Sequence, residues 1–312
     1  MTREIRKDLI SASKLYKAGK RQEAFEIYDK HFLEHPEVFK HWDKIRYCWC
    51  MYYLFIKDST DETDLVDYTE RVTEIVKQDD LNKAPVCVYT QCVFKVIMHL
   101  KSAEDWEYML YWLDKLNPEL LGNAQNKDNG IVYPSKKEDY YRYLSTAYLK
   151  CRDYEECVDS SKEALNTIGN FAFNGKTWHE WRIAKSLNKL GNPEEALQYL
   201  YEVVKVEKEW YILKEIADCS FQVGDMDNAF EYAGKAVLTD DLAKSKVNLY
   251  YLAYKILKDD NPDLALIHAK LYFALKLESG VQIADEIEDL NIDEDDLDIA
   301  ELESEIKDFW AK

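Results

Sequence analysis

The chain has 312 residues and a formal net charge of −19 at pH 7, and it contains only 9 glycines and 6 prolines beside 23 tyrosines and 8 tryptophans. This length is more than one hydrophobic core usually serves, so the chain either divides into domains or repeats a small unit. The scarcity of turn formers disfavours a β-rich fold, and the excess of carboxylates disfavours a general nucleic-acid binder, because affinity for phosphate depends on Lys and Arg.

Membrane and secretion signals are missing from the sequence pattern. A membrane-spanning helix requires roughly 20 apolar residues without charges, and the best candidate, residues 86–100, contains Gln91 and Lys95. The N-terminus lacks the apolar run of a signal peptide. The seven cysteines include no CxxC pair, which favours buried, reduced thiols. We therefore predict a cytoplasmic protein that does not associate with a membrane.

The first predicted helix pair, residues 4–35, introduces a pattern that recurs along the chain. Gly19 marks the turn, because glycine readily takes the backbone angles that end a helix. Ala12 in the first helix is predicted to face Ala24 in the second, since two small residues let the helix axes approach closely. Pro36 then prevents the second helix from continuing.

The second and third pairs are predicted at residues 38–78 and 84–118. Their apolar side chains recur at helical spacing, as Trp42, Ile45 and Trp49 do, but most of the small residues of the first pair are replaced. These two pairs are therefore degenerate copies of the pattern.

A polar segment follows, residues 122–136, which is long for a link between helices and rich in turn formers. It is either a tolerated surface insertion or a functional loop. It predicts a division into an N-terminal lobe of three pairs, residues 1–121, and a C-terminal lobe of four pairs, residues 137–280. An acidic C-terminal segment, residues 281–312, completes the chain.

The C-terminal lobe repeats the pattern more strictly. Gly191 and Gly224 are 33 residues apart, and so are Ala196 and Ala229. This spacing equals the length of one helix pair. The four predicted pairs of this lobe are 137–168, 177–207, 210–238 and 245–277.

The recurring glycines and alanines resemble the tetratricopeptide repeat, whose period is about 34 residues. The resemblance implies an all-α fold, a right-handed superhelical α-solenoid of about seven helix pairs plus a C-terminal helix. It also implies that the first helices line a concave surface that binds peptides or partner helices. The opening of the chain, from EIRKDL to YYLFIKD, is similar to a bacterial subgroup of tetratricopeptide proteins from mobile-element and phage-conflict loci.

The C-terminal segment concentrates the negative charge. Between residues 285 and 308 it has thirteen carboxylates and one lysine, which is −12 of the net −19. Its apolar residues recur at helical spacing, which predicts an amphipathic helix: Ile299, Leu302, Ile306 and Phe309. This helix is predicted to cap the last repeat. The alternative is that it folds into a basic groove and competes with the ligand.

Motifs for catalysis or metal binding are incomplete. Residues 175–177, GKT, match the end of a phosphate-binding loop, but Asn170 stands where that loop needs Gly, and residues 153–168 are predicted to be helical. His31 and His35 have the spacing of two metal ligands on a helix, but no third ligand accompanies them. We therefore predict no catalytic residue, no metal site and no cofactor.

Basic residues recur on the first helices of the fourth to sixth pairs, together with one tryptophan and one threonine. Their position on the predicted concave surface makes them candidates for partner binding: Arg142, Thr146, Lys150, Trp181, Arg182, Lys185, Lys189 and Lys214. An excess of cations here, in an acidic protein, indicates an anionic ligand such as an acidic or phosphorylated peptide. The alternative is that these are ordinary solvated helix faces.

The sequence favours a non-catalytic scaffold or adaptor that binds a protein or peptide in the concave groove. One alternative is a regulator that senses a signal peptide. Another is a nucleic-acid-associated component of a bacterial defence or mobile-element system, which the net charge disfavours. Neither the identity of the partner nor the oligomeric state can be read from the sequence.

Overall fold

The computed structural model describes residues 2–84, 86–125, 127–294 and 297–312. The chain divides into two compact units, one of which contains the chain through Asp153 together with Asn166–Phe173. The other contains Tyr154–Leu165 and Asn174–Lys312. The segment 122–136 belongs to the first unit, so its predicted role as a boundary between lobes stays a prediction. Asn126 of that segment, and residues 295 and 296 of the acidic tail, lie outside the described residues.

The first three predicted helix pairs are present in the first unit. Their helices are α1 (Thr2–Lys17), α2 (Arg21–Glu34), α3 (His41–Met51), α4 (Glu62–Ile75), α5 (Val88–Ala103) and α6 (Trp106–Asp114). A π-helical turn, Tyr52–Ile56, continues α3, and single 3-10 turns follow α2 and α6 at Pro36–Val38 and Pro118–Leu120.

The fourth predicted pair consists of α7 (Lys136–Cys151) and α8 (Tyr154–Thr167). The remaining pairs lie in the second unit as α9 (Gly175–Lys189), α10 (Pro193–Val203), α11 (Trp210–Val223), α12 (Met226–Val237), α13 (Val247–Leu257) and α14 (Pro262–Ser279). The predicted all-α class with seven helix pairs is confirmed. No helix in the described ranges is both long and apolar enough to cross a bilayer.

The turns inside the pairs explain the recurring glycines. Gly19, Gly191 and Gly224 each have a φ of 80°, in the left-handed region that glycine adopts without steric cost. The same position after α5 and α7 is occupied by Glu104, with a φ of 57°, and Arg152, with a φ of 67°. The turn geometry is therefore kept where the sequence pattern is lost.

The small residues that were predicted to face each other are buried. The alanines of the pairs α1–α2, α9–α10, α11–α12 and α13–α14 are at most 2 % exposed: Ala12, Ala24, Ala184, Ala196, Ala217, Ala229, Ala253 and Ala265. Each pair packs directly along its length. Close approach of the two helices is what removes these small side chains from solvent.

A short β-hairpin in the segment 122–136 was not predicted. Strand β1 (Lys127–Asp128) pairs antiparallel with β2 (Ile131–Val132). Asn129 and Gly130 form the turn with φ values of 50° and 83°. An Asn-Gly pair favours this kind of two-residue turn, so the sequence did contain the signal.

The acidic tail contains a short helix α15 (Asp285–Glu288) and the amphipathic helix α16 (Ile299–Trp310). Helix α16 lies against α12 and α14, the second helices of the sixth and seventh pairs, and buries Leu302 and Ile306 in their core. This position matches a covering role. Competition with a ligand stays a prediction.

Trp310 fixes the end of α16 in place. Its indole Nε1 donates a hydrogen bond to His268 Nε2 on α14 at 3.0 Å, and its ring centroid lies 4.5 Å from that of Phe230 on α12. Only glycine fits beneath the ring, because a Cβ on Gly234 would lie 2.4 Å from Trp310 Cε3.

Candidate functional site

The predicted partner-binding residues fall into two groups. Arg142, Thr146 and Lys150 lie on α7 in the first unit, whereas the other five lie on α9 and α11 in the second unit. Within the described ranges, no three His, Cys, Asp or Glu side chains are grouped so that they could hold a metal ion.

On the second unit, Trp181 is the centre of an aromatic cluster. Its ring packs edge to face against Trp178, with centroids 6.1 Å apart, and against Tyr211 of α11, with centroids 5.6 Å apart. Lys185 Nζ lies 4.8 Å from the Trp181 ring centroid, a cation–π distance. Trp178, Trp181 and Lys185 share one face of α9 because they are three and four residues apart.

The other cations of α9 differ in their surroundings. Arg182 Nη1 donates to the Trp178 carbonyl oxygen at 3.2 Å, so this guanidinium is turned back along its own helix. Lys176 pairs with Glu180 at 3.3 Å. Lys189 is exposed near the end of the helix.

Lys214 is not the solvent-exposed cation that the sequence suggested. Its side chain is only 17 % exposed, and its Nζ lies 3.5 Å from an Asp218 carboxylate oxygen and 4.0 Å from one of Glu215. Burial alone would lower the pKa of Lys214, but the two carboxylates more than offset burial and raise it. Its charge is therefore already paired within α11, and its contact with a ligand stays a prediction.

A polar network around Lys214 was not predicted from the sequence. Asn188 Nδ2 of α9 lies 3.3 Å from carboxylate oxygens of both Glu215 and Asp218, and Gln222 Nε2 donates to Asn188 Oδ1 at 2.7 Å. The spacing of Glu215, Asp218 and Gln222 on one helix face was the available signal. This network links α9 to α11 through polar side chains.

On the first unit, the first turns of α7 form one wall of a cavity of 760 Å³. Its charged lining residues are Lys136, Asp139 and Arg142, which lie on one face of the helix at three-residue spacing. Only Arg142 of these was predicted from the sequence. Thr146, one turn further on, donates its hydroxyl to the Arg142 carbonyl oxygen at 2.7 Å, and Lys150 is exposed with its Nζ 5.5 Å from the Trp106 ring centroid.

Arg142 is held by two neighbours. Its Nη2 donates to Asp139 Oδ1 at 2.5 Å and to the Tyr143 hydroxyl at 3.2 Å, while its Nε is buried without a hydrogen-bond acceptor among the described residues. Its side chain is still 42 % exposed. The guanidinium therefore has a fixed direction and an accessible surface.

Burial changes the ionisation of both charged neighbours of Arg142. It raises the pKa of Asp139, against the opposing effect of Arg142 and Lys136. It lowers the pKa of Lys136, where Asp139 acts in the opposite direction. Both shifts mean that the charged forms lack part of the solvation they would have in water.

Other parts of the cavity wall come from chain segments outside α7. Glu138, which is buried, accepts a hydrogen bond from the Ala172 backbone N–H at 2.7 Å, and Gln125 Nε2 donates to the Asn170 carbonyl oxygen at 3.0 Å. These bonds place Phe173 beside the cavity. Gly122 allows the chain to pass close to Leu81, because a Cβ on residue 122 would lie 3.2 Å from the Leu81 carbonyl oxygen.

Comparisons with known proteins give no functional assignment. No family model matches the chain, and no curated protein matches it. Among solved structures, the chain is similar to a tetratricopeptide repeat protein from Parabacteroides merdae, with a TM-score of 0.40 and 13 % identity over 99 % of this chain and 100 % of that one. It is also similar to the apo form of RapI, with a TM-score of 0.47 and 14 % identity over 98 % of this chain and 86 % of that one.

Proposed function

We propose that this protein is a non-catalytic interaction scaffold that binds a protein or peptide on the first helices of its pairs. The observation that carries the proposal is the aromatic cluster of Trp178, Trp181 and Tyr211 with Lys185 above it. Trp and Tyr dominate the energetics of protein interfaces because they bury a large area at a small cost in side-chain entropy.

The cluster is prepared for binding before a partner arrives. Trp178, Trp181 and Tyr211 are each half-buried, and their edge-to-face packing restricts the rings. A surface that is already ordered loses less entropy when it is covered by a partner. This supports a binding role over that of a solvated helix face.

The charge of α9 favours an anionic partner. The helix carries four basic residues and one carboxylate, Glu180, which is paired with Lys176. The basic residues of α9 outnumber its carboxylate, which makes this helix locally positive in a chain whose net charge is −19. Opposite charge at the rim of an interface speeds association and orients the partner. An acidic or phosphorylated segment fits this surface.

The proposal is tested by partner recovery on the full-length protein. Immobilised wild-type protein is exposed to an extract of its native cells, and bound proteins are identified by mass spectrometry. We expect Lys185→Glu and Trp181→Ala each to reduce the recovery of the main partner by about tenfold, which corresponds to a loss of about 1.4 kcal/mol in binding free energy.

The matched control is Lys235→Glu on α12. Lys235 also lies over an aromatic ring, with its Nζ 4.6 Å from the Tyr232 centroid, but it belongs to a second helix. Recovery should be unchanged in this variant. Equal losses in Lys185→Glu and Lys235→Glu would contradict the proposed surface.

Binding of labelled single-stranded RNA and DNA tests the alternative that the protein binds nucleic acid. We expect no saturable binding at 0.15 M salt, a concentration at which phosphate contacts are already weakened (about 8 Å screening length). Tight binding that weakens steeply with salt would favour a nucleic-acid partner instead.

A further inference from the structure

The cavity at the start of α7 combines fixed cations with exposed apolar side chains. Three large side chains at its rim are unusually exposed: Met98 at 50 %, Tyr133 at 42 % and Phe173 at 61 %. Tyr133 and Phe173 pack edge to face with centroids 6.1 Å apart. Ligand pockets are lined mainly by apolar and aromatic side chains with a few polar groups among them.

We propose that this cavity binds one carboxylate of a partner peptide together with the aromatic side chain next to it. The proposal deepens the scaffold function and rests on it, because it names what α7 recognises in a partner. The carboxylate comes either from an acidic side chain or from a peptide C-terminus.

Two donors are placed for the carboxylate. Arg142 is oriented by Asp139 and Tyr143 and keeps an accessible surface, so it meets a ligand with its direction already set. Lys136 lies nearby in the same lining, with its Nζ 4.4 Å from the Phe94 ring centroid. A planar guanidinium matches the geometry of a carboxylate, and hydrogen bonds between charged groups are the stronger ones.

The charges that line the cavity favour a ligand group with a single negative charge. Lys136 and Arg142 together carry two positive charges, and Asp139 supplies one negative charge. One further carboxylate makes the lining neutral. Lys95 and Lys101 also act on Lys136 and Asp139 from outside the lining, but a phosphate dianion would still place a second negative charge beside Asp139, where repulsion in a partly buried site is costly.

The burial of these groups supports the same conclusion. Burial lowers the pKa of Lys136 and raises the pKa of Asp139, so the surrounding protein groups do not fully satisfy either charge. A carboxylate between Lys136 and Arg142 would replace solvation that Lys136 has lost.

The aromatic part of the ligand is assigned to the rim. Phe173 and Tyr133 are held beside the cations by the hydrogen bond from Ala172 to Glu138 and by the hairpin. A ring on the ligand would cover these exposed faces together with Met98. Aromatic pairs contribute beyond the area they bury. A peptide with adjacent acidic and aromatic groups therefore reaches both parts of the cavity.

Calorimetric titration of the full-length protein with short peptides tests the proposal. The probes are N-acetyl-Asp-Phe-amide, its neutral analogue N-acetyl-Asn-Phe-amide, N-acetyl-Gly-Phe with a free C-terminus, and N-acetyl-phosphoserine-Phe-amide. We expect the Asp peptide or the free C-terminal peptide to bind at least about tenfold more tightly than the Asn peptide. Whichever of the two binds better identifies the source of the carboxylate.

Variants locate the binding to the cavity. Lys136→Gln and Arg142→Gln should each weaken binding of the preferred peptide about tenfold. Phe173→Ala, at an exposed position, should weaken it without loss of folding, as judged by circular dichroism. Lys30→Gln, an exposed lysine on α2 in the same unit, is the control and should bind as wild type.

Equal affinity for the Asp and Asn peptides, absence of binding by all four, or tighter binding of the phosphorylated peptide would overturn the proposal. None of these results bears on the partner recovery test at Lys185, which belongs to the second unit. Failure of the cavity and failure of the scaffold function are therefore distinguishable.

Discussion

His268 is fully buried beneath the tail helix, and its two ring nitrogens have opposite roles. A carbonyl can only accept, so Nδ1 carries the proton and donates to the Leu264 carbonyl oxygen at 2.9 Å. An indole N–H can only donate, so Nε2 accepts from Trp310 at 3.0 Å. Both bonds require the neutral imidazole, and protonation would place two N–H groups against each other.

This arrangement predicts a pH dependence of stability. Burial lowers the pKa of His268 to about 4, from an ordinary value near 6.5, so below pH 6.5 the unfolded chain takes up a proton that the folded protein does not. The contribution of His268 to the free energy of unfolding is complete above about pH 6.5 and is lost as the pH falls towards 4. We expect a loss of about 2 kcal/mol between pH 7 and pH 5.

The measurement is urea unfolding at both pH values, with His268→Gln as the matched variant. Glutamine keeps a neutral acceptor for Trp310 but does not titrate. The difference between wild type and variant isolates the histidine from the carboxylates of the chain. An identical pH dependence in both proteins would contradict the prediction.

At the scale of the helix pair, the geometry of the turn recurs even where its glycine is replaced. Arg152 has a φ of 67° at the end of α7, in the position that Gly191 and Gly224 occupy after α9 and α11 with a φ of 80°. The Asp153 N–H still donates to the Tyr148 carbonyl oxygen at 2.9 Å, as the Asp225 N–H does to that of Ser220. The turn hydrogen bond therefore overrides the residue's own backbone preference.

This turn predicts a stabilising substitution. Arg152→Gly removes the steric cost of a side chain in the left-handed region and should raise the free energy of unfolding by about 0.5–1 kcal/mol. Arg152→Ala is the control, because it removes the same exposed side chain but keeps the Cβ. The check is thermal unfolding of the two variants. A higher stability than wild type in both variants, or in neither, would show that backbone strain at residue 152 is not the cause.

At the scale of the whole molecule, negative charge is in excess and unevenly spread. The segment from residue 285 to 308 supplies −12, and the rest of the chain supplies −7. Such an excess destabilises a folded protein through self-repulsion. The positive surfaces on α7 and α9 are local exceptions within this field.

The net charge predicts that moderate salt stabilises the protein. Raising NaCl from 10 to 150 mM shortens the screening length from about 30 Å to about 8 Å and should raise the melting temperature by several degrees. The check is calorimetry of wild type and of a variant with four exposed tail carboxylates replaced by amides, at Asp289, Glu294, Glu301 and Glu305. The variant should respond less to salt, and a fall in melting temperature with salt would mean that ion pairs dominate.

The sequence by itself determined the helix pairs and much of what surrounds them. Turn glycines such as Gly191 and facing alanines such as Ala217 and Ala229 act through local geometry, and their spacing is visible along the chain. The amphipathic pattern of α16 is local in the same way, so its apolar face was predicted before its position was known.

Only the tertiary structure decided what surrounds each charged side chain and where a cavity forms. Lys214 and Lys185 look equivalent on a helix projection, but the first is paired with two carboxylates and the second lies over a tryptophan ring. Lys136 and Phe173 are far apart in sequence and meet at one cavity. The physical reason is that helix periodicity depends on neighbours in sequence, whereas ion pairing and cavity shape depend on side chains from separate elements.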